Sequence, residues 1–464
     1  MSFLPCSRLL DEPPRSGVDE LYDRQSTTLE QAIARYALRN DRAPRQTTTN
    51  GIDSRRSGRV SSTRPRLLQE NGGPGNAEGR LRSCCVPRFS PSDQIITEDV
   101  GMNTFSVRGG VVTMTDGRGS NYHEAWISMF QNLSASLPDL DIVFNHRDEP
   151  RVAFDARVPN TQHAALNVSD ARPFRNAPQP TSKYYKDEKH CIVPNEPKGF
   201  MTYANDANSF LLYSASADFT TDLYPVLSQT KIYPCFSDIL FPSEFHYPRS
   251  RWSPKYAYPN NIPWEHKKPA LYWRGQSTGG WISGTNYHSF PRFKVLDIAR
   301  NHTRIMNVAI SAFYEWFCQL DGCDAAEIKA EYDITGAAAP REEAYEHKYL
   351  FDVDGNSFSG RYLGLLKTGS LVFKSTLFQE YFDDWLQPFV HYIPVLPDLS
   401  DLVDRIEWAI AHDEEAHRIQ AAGQEFAERV VTDDQNDCYF FLVLLEWARL
   451  QAYARDISGD AWAV

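Results

Sequence analysis

Along the second half of the chain, compact apolar runs alternate with stretches of helical spacing. Ala270–Trp273, Tyr349–Val353, Leu371–Lys374 and His391–Val395 have the length and composition of strands. Between and beside them, Phe290–Arg300 and Ser359–Lys367 read as helices. Asp398–Arg429 predicts one long amphipathic helix, with Leu402, Ile406, Ala409, Ile410 and Ile419 on a broad apolar face and acids opposite. Strand–helix alternation predicts an α/β fold with parallel sheets. In the first half, Leu140–Asn145 is a short apolar run ending in polar residues, as a buried strand would be. A Pro- and Asn-rich stretch, 156–198, reads as surface loops. Residues 242–268, punctuated by Pro242, Pro248, Trp252, Pro254, Pro259, Pro263 and Trp264, read as an inter-domain connection.

The N-terminal region has no such texture. Residues 41–98 are rich in Arg, Ser, Gly, Pro and Thr and show no apolar period, so they predict disorder. Upstream, Thr28–Leu38 has helical spacing and reads as a short stem helix. The expected organisation is therefore a stem and disordered region over 1–98, a first domain over 99–260 and a second over 261–464. Two such α/β domains with a cleft between them are the simplest architecture for 464 residues.

Composition narrows the function classes. A net charge of −12 argues against a generic nucleic-acid binder, because phosphate backbones need a basic face. An anionic ligand would need a local cluster of arginines. Aromatics at 13% suit flat polar ligands such as sugars and bases, but also fill cores. The eight cysteines contain no C-x-x-C spacing, which disfavours a zinc site. N-x-S/T sequons stand at Asn132, Asn167 and Asn301. No stretch reaches the ~18 apolar residues of a membrane helix, and the N-terminus lacks a signal-peptide apolar core. The chain as written reads as soluble, any membrane anchor lying outside it.

Two glycine-containing loops follow strands. Trp273-Arg274-Gly275-Gln276-Ser277-Thr278-Gly279-Gly280 exposes backbone N–H groups and carries a planar cation suited to phosphate. It reads equally as an ordinary βα turn leading toward a helix. After Tyr349–Val353 comes Asp354-Gly355-Asn356-Ser357, with Ser357 placed to cap a helix that holds Arg361 in its early turns. An arginine near a helix N-terminus is electrostatically misplaced unless an anion sits there. Asp352-Val353-Asp354 spells D-x-D, which reads here as a buried strand-end acid and a turn acid. At the end of the first strand, Asn145-His146-Arg147-Asp148-Glu149-Pro150-Arg151 offers Asp148, Glu149 and His146 as candidate bases, against the plainer reading of a charged surface turn. His412, Asp413, Glu414 and His417 lack metal-ligand spacing and read as a solvated helix face.

Together these segments resemble glycosyltransferase family 90, the group of fungal capsule-associated xylosyltransferases and animal protein O-glucosyltransferases. The residues that carry the resemblance are LPDLDIVFNHRDEPRV (137–152), FSDILFPS (236–243), KPALYWRGQSTGG (268–280), HKYLFDVDGNSFSGRYLGLLKTGSLVFKS (347–375) and VHYIPVLPDLSDLVDRIEWAIAHDEEAHRI (390–419). The DEPRV and SFSGR forms look like the fungal branch. The resemblance covers about residues 100–450. One departure is QTTTNGIDSRRSGRVSSTRPRLLQENGG, which intervenes between the stem and the first domain and resembles nothing in the family.

The resemblance implies a GT-B fold, two Rossmann-like domains facing a cleft, acceptor-side first and donor-side second. It implies an inverting, metal-independent transfer of xylose or glucose from a UDP-sugar to a hydroxyl of a glycan or glycoprotein, in the Golgi or endoplasmic reticulum lumen. By resemblance Asp148 matches the catalytic base, and Arg274 and Arg361 match the arginines on the donor diphosphate. Gly275, Ser277 and Thr278 of the first loop, and Asp354, Gly355, Ser357 and Phe358 of the second, complete the donor site. No cofactor and no metal is expected. The alternatives are a non-catalytic carbohydrate-binding protein with a degenerate nucleotide site and a metal-dependent transferase using the D-x-D pair.

Overall fold

The computed structural model describes residues 102–116, 122–152, 225–232, 236–247, 250, 262–336, 339–429 and 431–458, with short strand pieces at Gln25–Ser26, Val60–Ser61, Phe174–Asn176 and Asp218–Thr220. The expected stem helix, the stretch 41–98 apart from Val60–Ser61, and most of 156–198 lie outside the described residues.

Two five-stranded sheets organise the chain. The first is mixed: β1 (Met102–Arg108), β2 (Val111–Asp116), β3 (Leu140–Asn145), β4 (Leu227–Ser228) and β5 (Ile239–Leu240), in the order β2-β1-β3-β4-β5. β1 pairs antiparallel with both β2 and β3, while β3, β4 and β5 run parallel. The β1–β2 hairpin turns at Gly109 and Gly110, both with positive φ (54° and 81°), the geometry that a two-residue hairpin loop demands and glycine supplies. Its alternating flanks, TFSVRGGVVTM, carry that hairpin signal in the sequence. The helix α1 (His123–Phe130) lays Trp126 and Phe130 on this sheet.

The second sheet is wholly parallel. Its strands are β6 (Lys268–Gln276), β7 (Met306–Ala312), β8 (His347–Val353), β9 (Leu371–Ser375) and β10 (Ile393–Pro394), in the order β7-β6-β8-β9-β10. β6, β8 and β9 lie where the apolar runs place them. β7 was not anticipated, and His391–Val395 shrinks to two residues. Both faces are covered, as parallel sheets require. Tyr349, Phe351 and Val353 of β8 enter one apolar core, and Leu350 enters the other. The helices are α2 (Pro291–Arg300), α3 (Ala325–Glu331), α4 (Tyr362–Leu366), α5 (Leu402–Ala411), α6 (Asp413–Arg429) and α7 (Asp433–Ser458). Pro291 at the first position of α2 starts that helix with a pre-set φ and no N–H to orphan.

Three expectations need correction. The long helix over 398–429 is two helices, broken at His412 (φ −122°, ψ 55°), whose Nδ1 bonds back to the Trp408 carbonyl at 2.8 Å while its ring stacks on Trp408. Asp413 then opens α6, held by Lys348 at 2.5 Å and the Trp264 indole N–H at 3.1 Å, and His417 stacks flat on Trp264. Ser357 does not cap a helix: α4 begins only at Tyr362, with Arg361 at the cap position. The loop after β6 leads through Asn286–Ser289, a short 3-10 turn, rather than directly into α2.

α7 returns to the first sheet. Phe440 packs edge-on against Phe130 at 5.2 Å between ring centroids, and Trp447 donates to the Asp141 carbonyl at 2.8 Å. A backbone bridge joins Lys231 to Gln379, and His246 bonds Glu380 at 2.6 Å. Side chains from both parts of the chain share one apolar core, with Phe144 and Phe241 beside Leu363, Val372 and Phe382.

Candidate active site

In the second sheet the chain runs β6, then outward to β7, then back across to β8. The strand order therefore reverses direction between β6 and β8, and the loops at their carboxyl ends open a crevice there. Such a switch point is where open α/β sheets bind ligands. Both glycine-containing loops of the sequence sit at it.

Two guanidinium groups meet in this crevice. Arg292, in the first turn of α2, is 9% exposed. Its Nε donates to the Asp354 carbonyl at 3.0 Å and its Nη1 to the Gln276 carbonyl at 2.9 Å, tying the ends of β8 and β6 together. Arg361 donates through Nη1 to the Arg274 carbonyl at 2.5 Å, and its Nη2 is buried with no hydrogen-bond partner. Both guanidiniums lie over the Trp273 ring, at 5.8 and 5.9 Å from its centroid. The Trp273 indole N–H is likewise buried without a partner. Gly275 makes this possible, because a Cβ there would lie 2.4 Å from the Trp273 ring. Burial and the neighbouring Arg361 push Arg292 down to about 9.

Lys374 shows how a satisfied cation in this core looks. Burial disfavours its charge, but Asp383, Glu380 and Asp352 reverse that and hold its pKa above the usual value. Its ammonium lies 3.6 Å from Glu380 and 4.0 Å from Asp352. Among the described residues, neither Arg292 nor Arg361 has a carboxylate within 4.0 Å. Two adjacent cations, Arg292 buried and Arg361 partly so, bond only carbonyls directly, while Asp354, Asp352 and Asp148 act on Arg292 from farther away; such a pair suits an anion.

The sequence-predicted residues divide accordingly. Arg361, Gly275, Thr278, Asp354, Gly355, Ser357 and Phe358 lie at or beside the crevice. A Cβ on Gly355 would stand 2.6 Å from Thr278 Oγ1 and 2.7 Å from Arg292 Nη2, so the two loops and Arg292 close tightly over a glycine. Ser277 is buried and accepts from the Tyr314 N–H at 2.7 Å, a structural bond. Arg274 is not brought beside Arg361. Strand alternation turns its guanidinium to the other face of β6, where it bonds the Trp273 carbonyl and both oxygens of Asn307 and covers Tyr272. The arginine that does join Arg361 is Arg292, which no sequence motif singles out. Its one signal is its place in the first turn of a helix, where an arginine is electrostatically misplaced.

The acids of D-x-D each have other work. Asp354 accepts from the Leu377 N–H at 2.8 Å, and burial raises its carboxyl to about 7. Asp352 faces Lys374. Among the described residues no cluster of His, Cys, Asp or Glu is arranged to hold a metal.

From the first sheet, the loop after β3 delivers the three candidate bases. Glu149 is fully buried against Arg151, Oε2 to Nη2 at 3.8 Å, and belongs to the core. His146 bonds through Nδ1 to the Asn103 side-chain oxygen, and burial with Arg147 and Arg151 nearby pushes it down to about 4. Asp148 faces the crevice, half-buried, and accepts from Asn356 Nδ2 at 3.1 Å. Burial raises its carboxyl, opposed by that hydrogen bond and by Arg151, Arg147 and Arg292. Asn356 in turn accepts from the Gly279 N–H at 3.1 Å. One side chain thus joins all three loops.

The family model described as Glycosyl transferase family 90 matches residues 256–464. Protein O-glucosyltransferase 2 of Danio rerio is 32% identical over 192 residues, 40% of this chain and 34% of that protein. Protein O-glucosyltransferase 1 of Rattus norvegicus is 28% identical over 196 residues, 41% of this chain and 44% of that protein. Protein O-glucosyltransferase 3 of Homo sapiens is 26% identical over 187 residues, 39% and 35% of the two chains. The match therefore spans less than half the length of these relatives.

Proposed function

We propose, from the match of residues 256–464 to the model of glycosyl transferase family 90, that the protein is a member of that family: an inverting, metal-independent glycosyltransferase of GT-B architecture using a UDP-sugar donor. The observation that carries this reading is the pair Arg292 and Arg361, set over Trp273, with the Arg361 Nη2 buried and unpartnered and, among the described residues, no carboxylate within 4.0 Å of either. The diphosphate of a nucleotide sugar supplies the missing anion. Arg361 and Arg292 hold it, and Arg274 braces β6 against β7 from behind. As the sugar leaves, charge grows on the diphosphate, and two fixed cations stabilise it without a metal.

Asp148 is the base. Its carboxylate lies across the crevice from the donor loops and takes the proton of the attacking acceptor hydroxyl while the sugar bond to the diphosphate breaks on the opposite face. The hydroxyl belongs to a glycan or glycoprotein, and the donor sugar is xylose or glucose. His146 is already committed to Asn103 and is a weak base, and Glu149 is buried in an ion pair. The setting is the secretory pathway. Its support is the kinship with protein O-glucosyltransferases and the sequons, of which Asn132 and Asn301 are exposed.

UDP calorimetry, followed by a hydrolysis screen across UDP-sugars with and without EDTA, tests the reading. Binding of UDP, and turnover of one UDP-pentose or UDP-hexose that EDTA leaves intact, is expected. No UDP binding refutes it, and EDTA-sensitive turnover returns the D-x-D alternative.

A further inference from the structure

Gly355 and Ser357 close a tight turn, Gly355 N–H to Ser357 carbonyl at 2.8 Å, with Asn356 at its tip. The turn projects the Asn356 amide away from its own sheet and toward the loop after β3. Its two ends have different partners, and chemistry fixes which is which. The Gly279 N–H can only donate, so it takes the amide oxygen; the nitrogen then faces Asp148, an acceptor. The amide orientation is forced by the network.

We propose that Asn356 is the positioning residue of the transfer reaction: it holds the Asp148 carboxylate ionised and aimed, and ties that aim to the shape of the donor loop. The inference rests on the proposed role of Asp148. Among the described residues, the only hydrogen bond to Asp148 comes from Asn356, to Oδ2. Oδ1 is therefore the oxygen left to meet an acceptor hydroxyl. The other end of the clamp sits on Gly279, next to Thr278 and within the loop that flanks Arg292. Donor binding that orders this loop orders Asn356, and with it the base on the opposite sheet.

The alternative is that Asn356 merely braces two loops, and pH separates the two. The groups facing Asp148 are Asn356 and Arg292 from the donor side, Arg147 and Arg151 from its own loop, and Glu244 and Tyr122 from the first sheet's side. Of these, Asn356 is the neutral donor bonded directly to the carboxylate. Removing it leaves burial and Glu244 less opposed, so the Asp148 carboxyl rises and the acidic limb of the kcat profile moves to higher pH. A brace has no such signature.

The test compares the wild type, Asn356→Ala and Asn356→Asp by UDP calorimetry and by pH profiles of transfer or donor hydrolysis, with Asp148→Asn alongside. The expected result is a kcat loss on the order of 10²-fold for a base no longer held in place, UDP affinity close to wild type, and an acidic limb that moves up in Asn356→Ala and further in Asn356→Asp. An unmoved acidic limb in Asn356→Ala, or a UDP affinity that falls in step with kcat, overturns the inference while leaving the functional reading standing. A wild type that ignores UDP, or an Asp148→Asn variant that still turns over, overturns both.

Discussion

Removing the Arg361 guanidinium separates a ligand-binding arginine from a structural one by opposite effects on two measurements. In the free protein Arg361→Ala gives up one charge-assisted bond to the Arg274 carbonyl, worth about 1.5–3 kcal/mol. It also removes a buried N–H that has no partner, a relief of about 1–3 kcal/mol, and one of two adjacent like charges, since Arg361 is what most opposes the Arg292 charge after burial. These nearly cancel, so the melting temperature without ligand should stay within a few degrees of wild type. With UDP the balance should reverse. Loss of the proposed phosphate contact should weaken binding by about 1.5–3 kcal/mol, roughly 10–150-fold in Kd. At a fixed saturating UDP concentration the thermal stabilisation by ligand shrinks by the same free energy. Arg361→Lys should recover part of the affinity, because an ammonium supplies charge but not the fork. Calorimetry and melting curves with and without UDP read both effects. An unchanged UDP affinity, or a collapse of the ligand-free melting temperature, would refute the reasoning, because either outcome means that the guanidinium serves the fold.

Arg274→Ala, whose partners are Asn307 and a carbonyl, should lower UDP affinity far less than Arg361→Ala; an equal loss in calorimetry would put Arg274 on the ligand after all. Asp148→Asn should reduce transfer by about 10²–10⁴-fold with UDP affinity kept, whereas Glu149→Gln breaks a buried ion pair and should instead destabilise the fold by about 3–5 kcal/mol, read by denaturant melts; a normal turnover in Asp148→Asn with loss in His146→Ala would move the base to His146. Gly355→Ala places a methyl against Thr278 and Arg292 and should weaken UDP binding while costing about 1–3 kcal/mol of stability, with wild-type calorimetry the outcome that contradicts it. Burial holds the Glu244 carboxyl up at about 7, so the native state keeps a proton that the unfolded chain releases. Its contribution is complete below the usual carboxylate range and is lost as pH rises toward 7. Glu244→Gln should therefore flatten the fall in melting temperature between the usual carboxylate range, about 4.5, and about 7, and an identical pH slope in the variant would count against it.

The parts of the fold that the sequence revealed are those whose signal is local. Tyr349–Val353 and Leu371–Lys374 are fully buried parallel strands, and a continuous apolar run is what such burial requires of a sequence. Met306–Ala312 escaped because it is the edge strand, only partly buried, and its apolar residues are correspondingly fewer. The break at His412 escaped because neither glycine nor proline marks it. A histidine that bonds its own helix carbonyl ends the helix without a composition signal.

The candidate site was legible in its loops and illegible in its contacts, and the reason is distance along the chain. Arg361 stands out because an arginine near a helix start is electrostatically misplaced, and Asp148 only as one of three candidate bases at the carboxyl end of a strand. Arg274 stands out as a planar cation in a glycine-containing loop, yet strand alternation sends its side chain to the opposite face from Trp273, and one residue of register decides that. Arg292 reaches the crevice only because α2 starts where Pro291 starts it, and its partners come from strands 16 and 62 residues away. Asn356 and Asp148 are 208 residues apart and lie on different sheets. No window along the sequence contains both. Their meeting depends on α7 and the Lys231–Gln379 bridge holding the first sheet against the second. The chemistry proposed here therefore belongs to the seam between the two sheets, and a substitution that loosens that seam should separate base from donor while leaving each loop intact.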